Sequence, residues 1–235
     1  MKLTIGHIYP DLLNLYGDRG NIQCLRKRLE WRGIEAEVFP FCLGDLIDFR
    51  KLDIVMLGGG SDREQEIAAG NLRAIRQEVH EFVEDGGVLL AVCGGYQLLG
   101  EYYRTSGKII EGMGILDIYT EWKPERIVQN VILQSPLFST EVVGFVNHGG
   151  RTYIGGYMPF GTVKFGLGNT EHSRQEGLVY KNVIATYLHG PLLPKNPVVC
   201  DYLIEKAMQR KYGSNVILKL LPDTEEQRAQ KYMME

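Results

Sequence analysis

Val88-Leu89-Leu90-Ala91-Val92 runs straight into Cys93-Gly94-Gly95, and Tyr96-Gln97-Leu98-Leu99-Gly100 follows. An apolar, β-prone run, a cysteine, two glycines and helix-forming residues predict a strand, a sharp turn and a helix, with the sulfur held at the turn. Glycine beyond the turn lets the backbone bend tightly and pass close to a reacting group. A thiol at a helix N-terminus also feels the positive end of the helix dipole, which favours the thiolate. That is how a nucleophilic cysteine is displayed.

Around this turn, segments alternate in type. Leu3–Ile8 reads as a strand, Asn21–Trp31 as a helix ending at Gly33, and Glu35–Phe39 as a second strand. Asp53–Leu57 is a short buried strand entering Gly58-Gly59-Gly60-Ser61-Asp62, and Glu64–Glu84 has helical spacing interrupted near Gly70-Asn71. Strands alternating with helices imply a parallel sheet covered on both faces. After Gly100, short β-branched or aromatic segments around 114–122, 127–133, 142–147 and 163–165 predict antiparallel strands on or beside that sheet. Asn182–Tyr187 is another buried strand, delivering His189 at its end; Pro197–Arg210 is an amphipathic helix. The expected fold is α/β, a mostly parallel central sheet with helices on both faces and an antiparallel extension. Residues 1–222 are expected to form one domain, and 223–235 a polar tail, loosely helical or disordered.

Composition narrows the function. A net charge of −3 gives no footprint for nucleic acid, and the Arg26-Lys27-Arg28 cluster is expected on a solvated helix face. No apolar run approaches the roughly 20 residues that span a bilayer, and Met1–Ile5 reads as a strand rather than a signal peptide, so a cytoplasmic location is expected. The four cysteines, Cys24, Cys42, Cys93 and Cys200, form no C-x-x-C pair. With no H-E-x-x-H, no metal site is expected. Three of the four are expected to be small buried hydrophobes.

In open α/β sheets, sites form beyond the carboxyl ends of the strands. The Gly58–Asp62 loop, Cys93 and His189 all fall there. His189 could take the thiol proton and later protonate a leaving group; N–H groups of Gly94, Gly59 and Gly60 could hold an oxyanion. The glycine loop lacks the Gly-Lys-Ser/Thr ending of a P-loop and is not G-x-G-x-x-G, so nucleotide binding is unsupported. His7 and His80 are expected to be structural or surface residues.

Cys93-Gly94-Gly95-Tyr96-Gln97 resembles the nucleophile segment of class I (triad-type) glutamine amidotransferases. Leu13–Asn21, Gly58–Gln65, Gly144–Thr152 and Tyr187–Pro191 extend the resemblance to the cobyric acid synthase-like branch, and within it to the glutaminase subunits of lipid II isoglutaminyl synthases. The resemblance implies glutamine hydrolysis through a Cys93 thioester with His189 as base and acid. It also implies substrate contacts from Arg126, Gln97 and His148, with Asn147 beside it. No cofactor is implied in this chain. ATP and Mg would sit on a MurT-like, Mur-ligase-type subunit that forms a heterodimer and amidates D-glutamate in the lipid II stem peptide. Many triad amidotransferases carry glutamate two residues after the histidine, where this chain has Pro191. The third member is then Asp18, Asp62 or a carboxylate of the partner. Two other readings stay open: a glutaminase for another synthetase, such as a corrinoid-type one, and a non-catalytic glutamine-binding regulatory module.

Overall fold

The computed structural model describes residues 1–15 and 17–234; Tyr16, within the Leu13–Asn21 stretch, lies outside them. The first half alternates as expected: β1 (Lys2–Ile8), α1 (Arg19–Glu30), β2 (Glu35–Phe41), β3 (Ile54–Leu57), α2 (Asp62–Ala74), α3 (Arg76–Glu84), β4 (Val88–Val92) and α4 (Gly94–Leu98). Then come β5 (Tyr102–Arg104), β6 (Ile109–Glu111), β7 (Tyr119–Gln134), β8 (Val142–Tyr153), β9 (Gly161–Phe165), β10 (Gln175–Glu176), β11 (Leu178–Tyr180) and β12 (Val183–Thr186). The chain ends with α5 (Leu192–Lys195), α6 (Pro197–Tyr212) and α7 (Thr224–Met234).

The first sheet has the order β11-β12-β4-β3-β1-β2. All its pairings are parallel except that of β11 at the edge. Its central strands are apolar throughout because both faces are covered; every residue of β3, β4 and β12 is buried. The second sheet runs β10-β9-β7-β5-β6, with β8 also on β7, and is antiparallel except between β5 and β7. This is the expected parallel core with an antiparallel extension, the extension forming a sheet of its own.

Several local expectations differ. The 64–84 helix breaks at Ile75, whose φ of −106° leaves the helical region, not at Gly70-Asn71. Gly70 lies within α2 with open space around it, so nothing there forces a break. The strands expected at 114–122 and 127–133 are one strand, β7, starting at Tyr119 and interrupted by a register shift between Trp122 and Ile127. Cys42 is exposed rather than buried, while Cys24 is half-buried and Cys200 buried.

Arg28 departs most. It is 1% exposed, pairing bidentately with Asp201 of α6 and with Asp223. A buried guanidinium needs such satisfaction, and its partners lie far along the chain, out of sight of a local charge pattern. The same pairing fastens the segment before α7, so the polar tail is a helix held to the body. Gln230 adds bonds to the Glu141 carbonyl and to Asn196 Oδ1. No helix among the described residues is long and apolar enough to cross a membrane.

Candidate active site

Four loops meet at the carboxyl ends of β1, β3, β4 and β12. Leu15 N–H donates to the Gly59 carbonyl, and Gly59 N–H donates to Asp18 Oδ2 at 2.9 Å. The glycine loop is closed on its far side by a capping box, in which Ser61 Oγ accepts from Glu64 N–H and the Glu64 carboxylate accepts from Ser61 N–H. On the other side, Val92 pairs with Thr186, and Cys93 N–H donates to the Thr186 carbonyl at 2.8 Å. The strand end carrying the thiol and the strand leading to His189 are thus adjacent.

Cys93 has φ +53° and ψ −108°, a conformation most side chains avoid. It is the strained strand-to-helix elbow that the sequence predicted. Gly95 is needed beside it, because a Cβ there would lie 2.5 Å from the Leu57 carbonyl oxygen. Gly59 touches the elbow directly; its Cβ would lie 2.9 Å from Cys93 Cβ.

Electrostatically the elbow departs from expectation. Burial pushes the Cys93 thiol up to about 12, and the charge of Asp18 adds to that; the Gly94 N–H and the charge of Arg126 pull the other way. Desolvation outweighs the short α4 helix, so the resting sulfur is a thiol rather than a thiolate.

His189 is 1% exposed and is held between the sheets. Its N–H donates to the Phe145 carbonyl at 2.9 Å, bridging β8 to the loop after β12, and its ring meets Phe145 edge-on. Burial, aided by the charge of Lys195, lowers His189 to about 4, leaving it neutral and able to accept a proton. Glu176, 0% exposed, holds the chain just before His189, accepting from Tyr187 N–H at 2.7 Å and from Thr186 Oγ1. Burial raises this carboxyl to about 7. Sequence reading missed Glu176, because Glu176-Gly177 matches no motif and its clamp depends on the β11–β12 return, and it took Tyr187 only as part of the Tyr187–Pro191 stretch.

Gln97 and His148 lie inside, near Tyr187. Gln97 Nε2 donates to the Tyr187 hydroxyl, which shares a 2.5 Å hydrogen bond with Thr152 Oγ1. The His148 ring stacks on Tyr187 with centroids 3.7 Å apart, and its Nδ1 bonds the Gly150 carbonyl. Burial holds His148 down at about 3. Arg126 is exposed, placed by the irregular turn within β7, and bonds the side-chain and main-chain oxygens of Asn147. Its charge lowers the proton affinity of the Cys93 thiol, against the larger effect of burial.

The two internal acids go elsewhere than to the histidine. Asp18 accepts from Gly59 N–H, and Asp62, first residue of α2, accepts from the Tyr103 hydroxyl at 3.2 Å. Among the described residues neither bonds His189. Gly59, expected as an oxyanion donor, has its N–H engaged by Asp18. Gly94 N–H is directed at the sulfur, while Gly60 contributes its carbonyl to Gln65 Nε2.

The site is thus a strained cysteine elbow at the end of a parallel α/β strand, with a glycine loop on one side and the strand leading to a neutral histidine on the other. Residues 4–197 match the CobB/CobQ-like glutamine amidotransferase domain, and the chain belongs to that family. It is 48% identical over 211 residues to subunit GatD of the glutamine-hydrolyzing lipid II isoglutaminyl synthase of Staphylococcus aureus (strain N315), covering 89% of this chain and 86% of that one. The corresponding subunit of Streptococcus pneumoniae (strain ATCC BAA-255 / R6) is 39% identical over 225 residues, covering 94% and 86%. Among solved structures, the glutaminase domain of Trypanosoma brucei CTPS with bound acivicin superposes with a TM-score of 0.56 at 12% identity, covering 92% of this chain and 96% of that one. A glutamine amidotransferase crystal structure gives 0.51 at 21%, covering 86% and 98%. These two likenesses are of fold.

Proposed function

We propose that the chain is the glutaminase subunit of a lipid II isoglutaminyl synthase. Cys93 attacks the side-chain amide of glutamine, and the ammonia released goes to an ATP-dependent, Mur-ligase-type subunit that amidates D-glutamate in the lipid II stem peptide. The observation carrying this reading is the Cys93 elbow hydrogen-bonded to the strand that leads to His189, in a chain 48% identical to a named GatD subunit.

The steps follow from the residues. His189 takes the Cys93 proton as the sulfur bonds the amide carbon, and Gly94 N–H turns from the sulfur to the oxygen that gains charge. Collapse expels ammonia with the proton returned by His189, leaving a glutamyl thioester. Water, deprotonated by His189, then releases glutamate and restores the thiol. The Arg126 guanidinium is suited to the substrate α-carboxylate. Free ammonia is mostly protonated at neutral pH, so direct transfer to a ligase is required; ATP and Mg belong to that ligase.

The resting proton affinities oppose the first step: the thiol sits at about 12 and the imidazole at about 4. Pro191 occupies the place of the orienting glutamate of the wider class. A partner carboxylate would raise the histidine and narrow the gap. Glutamate release should therefore rise when a MurT-like subunit is added, and an alanine change at one partner carboxylate should remove the rise without dissociating the complex. An isolated chain as active as the complex would overturn partner dependence.

A further inference from the structure

Asp18 is 0% exposed, and among the described residues its Oδ1 has no hydrogen-bond partner. Its Oδ2 accepts the Gly59 N–H at 2.9 Å. It stands at the N-cap of α1 yet makes no side-chain cap there, so the carboxylate forgoes the use aspartate usually has at that position. The amide it holds lies beside the nucleophile: a Cβ on Gly59 would be 2.9 Å from Cys93 Cβ and 3.4 Å from Gly94 N.

We propose that Asp18 is a positioning residue of inhibitory sign, whose carboxylate keeps the Gly59 N–H from an oxyanion in the resting subunit, so that turnover requires this bond to open. This rests on the glutaminase reading above. A tetrahedral oxyanion and a carboxylate cannot share one N–H donor without like-charge repulsion at hydrogen-bond distance. The same charge works against the thiolate, so both effects of Asp18 oppose chemistry as the site stands.

The geometry also supplies a route for release. Gly20 and Asn21, next along the chain, are fastened to the histidine loop. A Cβ on Gly20 would lie 2.4 Å from Pro191 Cγ, and Asn21 Oδ1 accepts the Leu193 N–H at 2.9 Å. A ligase subunit that shifts the loop at 189–193 would therefore move the start of α1, and Asp18 with it.

The test uses the full chain, alone and with its ligase subunit, comparing wild type with D18N and D18A. D18N keeps the shape and an acceptor for Gly59 without the charge; D18A removes the acceptor. In the isolated chain both should release glutamate several-fold faster at saturating glutamine, with KM little changed. Iodoacetamide should alkylate Cys93 faster at fixed pH, and the advantage should shrink in the complex. A folded D18N with turnover at or below wild type, while a glutamine-mimicking electrophile still labels Cys93, overturns the proposal and leaves the glutaminase reading standing. Absence of labelling in wild type overturns both.

Discussion

Arg126 and Cys93 come from different sheets, and each should fail in its own way. Cys93→Ser should lower glutamate release by orders of magnitude, as loss of the nucleophile does in other triad enzymes, and a glutamine-mimicking electrophile should map to Cys93 in a tryptic digest. Label on the exposed Cys42 instead would reject the assignment. Arg126→Ala should keep the fold, since the side chain is exposed. It should reduce kcat/KM for glutamine by an amount equivalent to about 1.5–3 kcal/mol, the worth of a charge-assisted hydrogen bond; unchanged kinetics would remove it from the site. The placement of Cys93 and His189 beyond strand ends was legible because strand ends announce themselves in apolar runs. The thiol's protonation was not, because burial comes from the whole surrounding fold and no local motif records it.

Among the elements, β3, β4 and β12 were readable because strands buried on both faces are continuous apolar runs. The strands β5, β6, β10 and β11 are three residues or shorter and exist only through their neighbours, so no periodicity reveals them. One of them carries Glu176, which clamps the end of β12. Its carboxyl is raised to about 7 in the fold, against about 4.3 in an unfolded chain. A raised pKa stabilises fully below the unfolded value and is lost as pH climbs through the folded one. Glu176→Gln should therefore gain stability relative to wild type between pH 4.5 and 8, by up to about 3 kcal/mol at the top, read from urea midpoints at both ends. The lowered histidines, His189 and His7 at about 4 and His148 at about 3, act oppositely. They weaken the fold as pH falls below about 6.5, so the variant must be compared with wild type at each pH.

For the molecule as a whole, Arg28 ties α1, α6 and the segment before α7 into one unit. Arg28→Ala would leave Asp223 without its cation and Asp201 with Arg32 alone, and should cost about 3 kcal/mol. Limited proteolysis should then cut between residues 213 and 223, where the chain has no regular element; an unchanged pattern would show the tail is held by other means. Global stability also feels the elbow. With φ at +53°, Cys93 occupies backbone space where glycine sits without strain. Cys93→Gly, inactive by construction, should be more stable than Cys93→Ala by about 1 kcal/mol. A side chain kept at a turn that glycine would occupy without strain costs the fold stability at the one position where the proposed chemistry needs a sulfur.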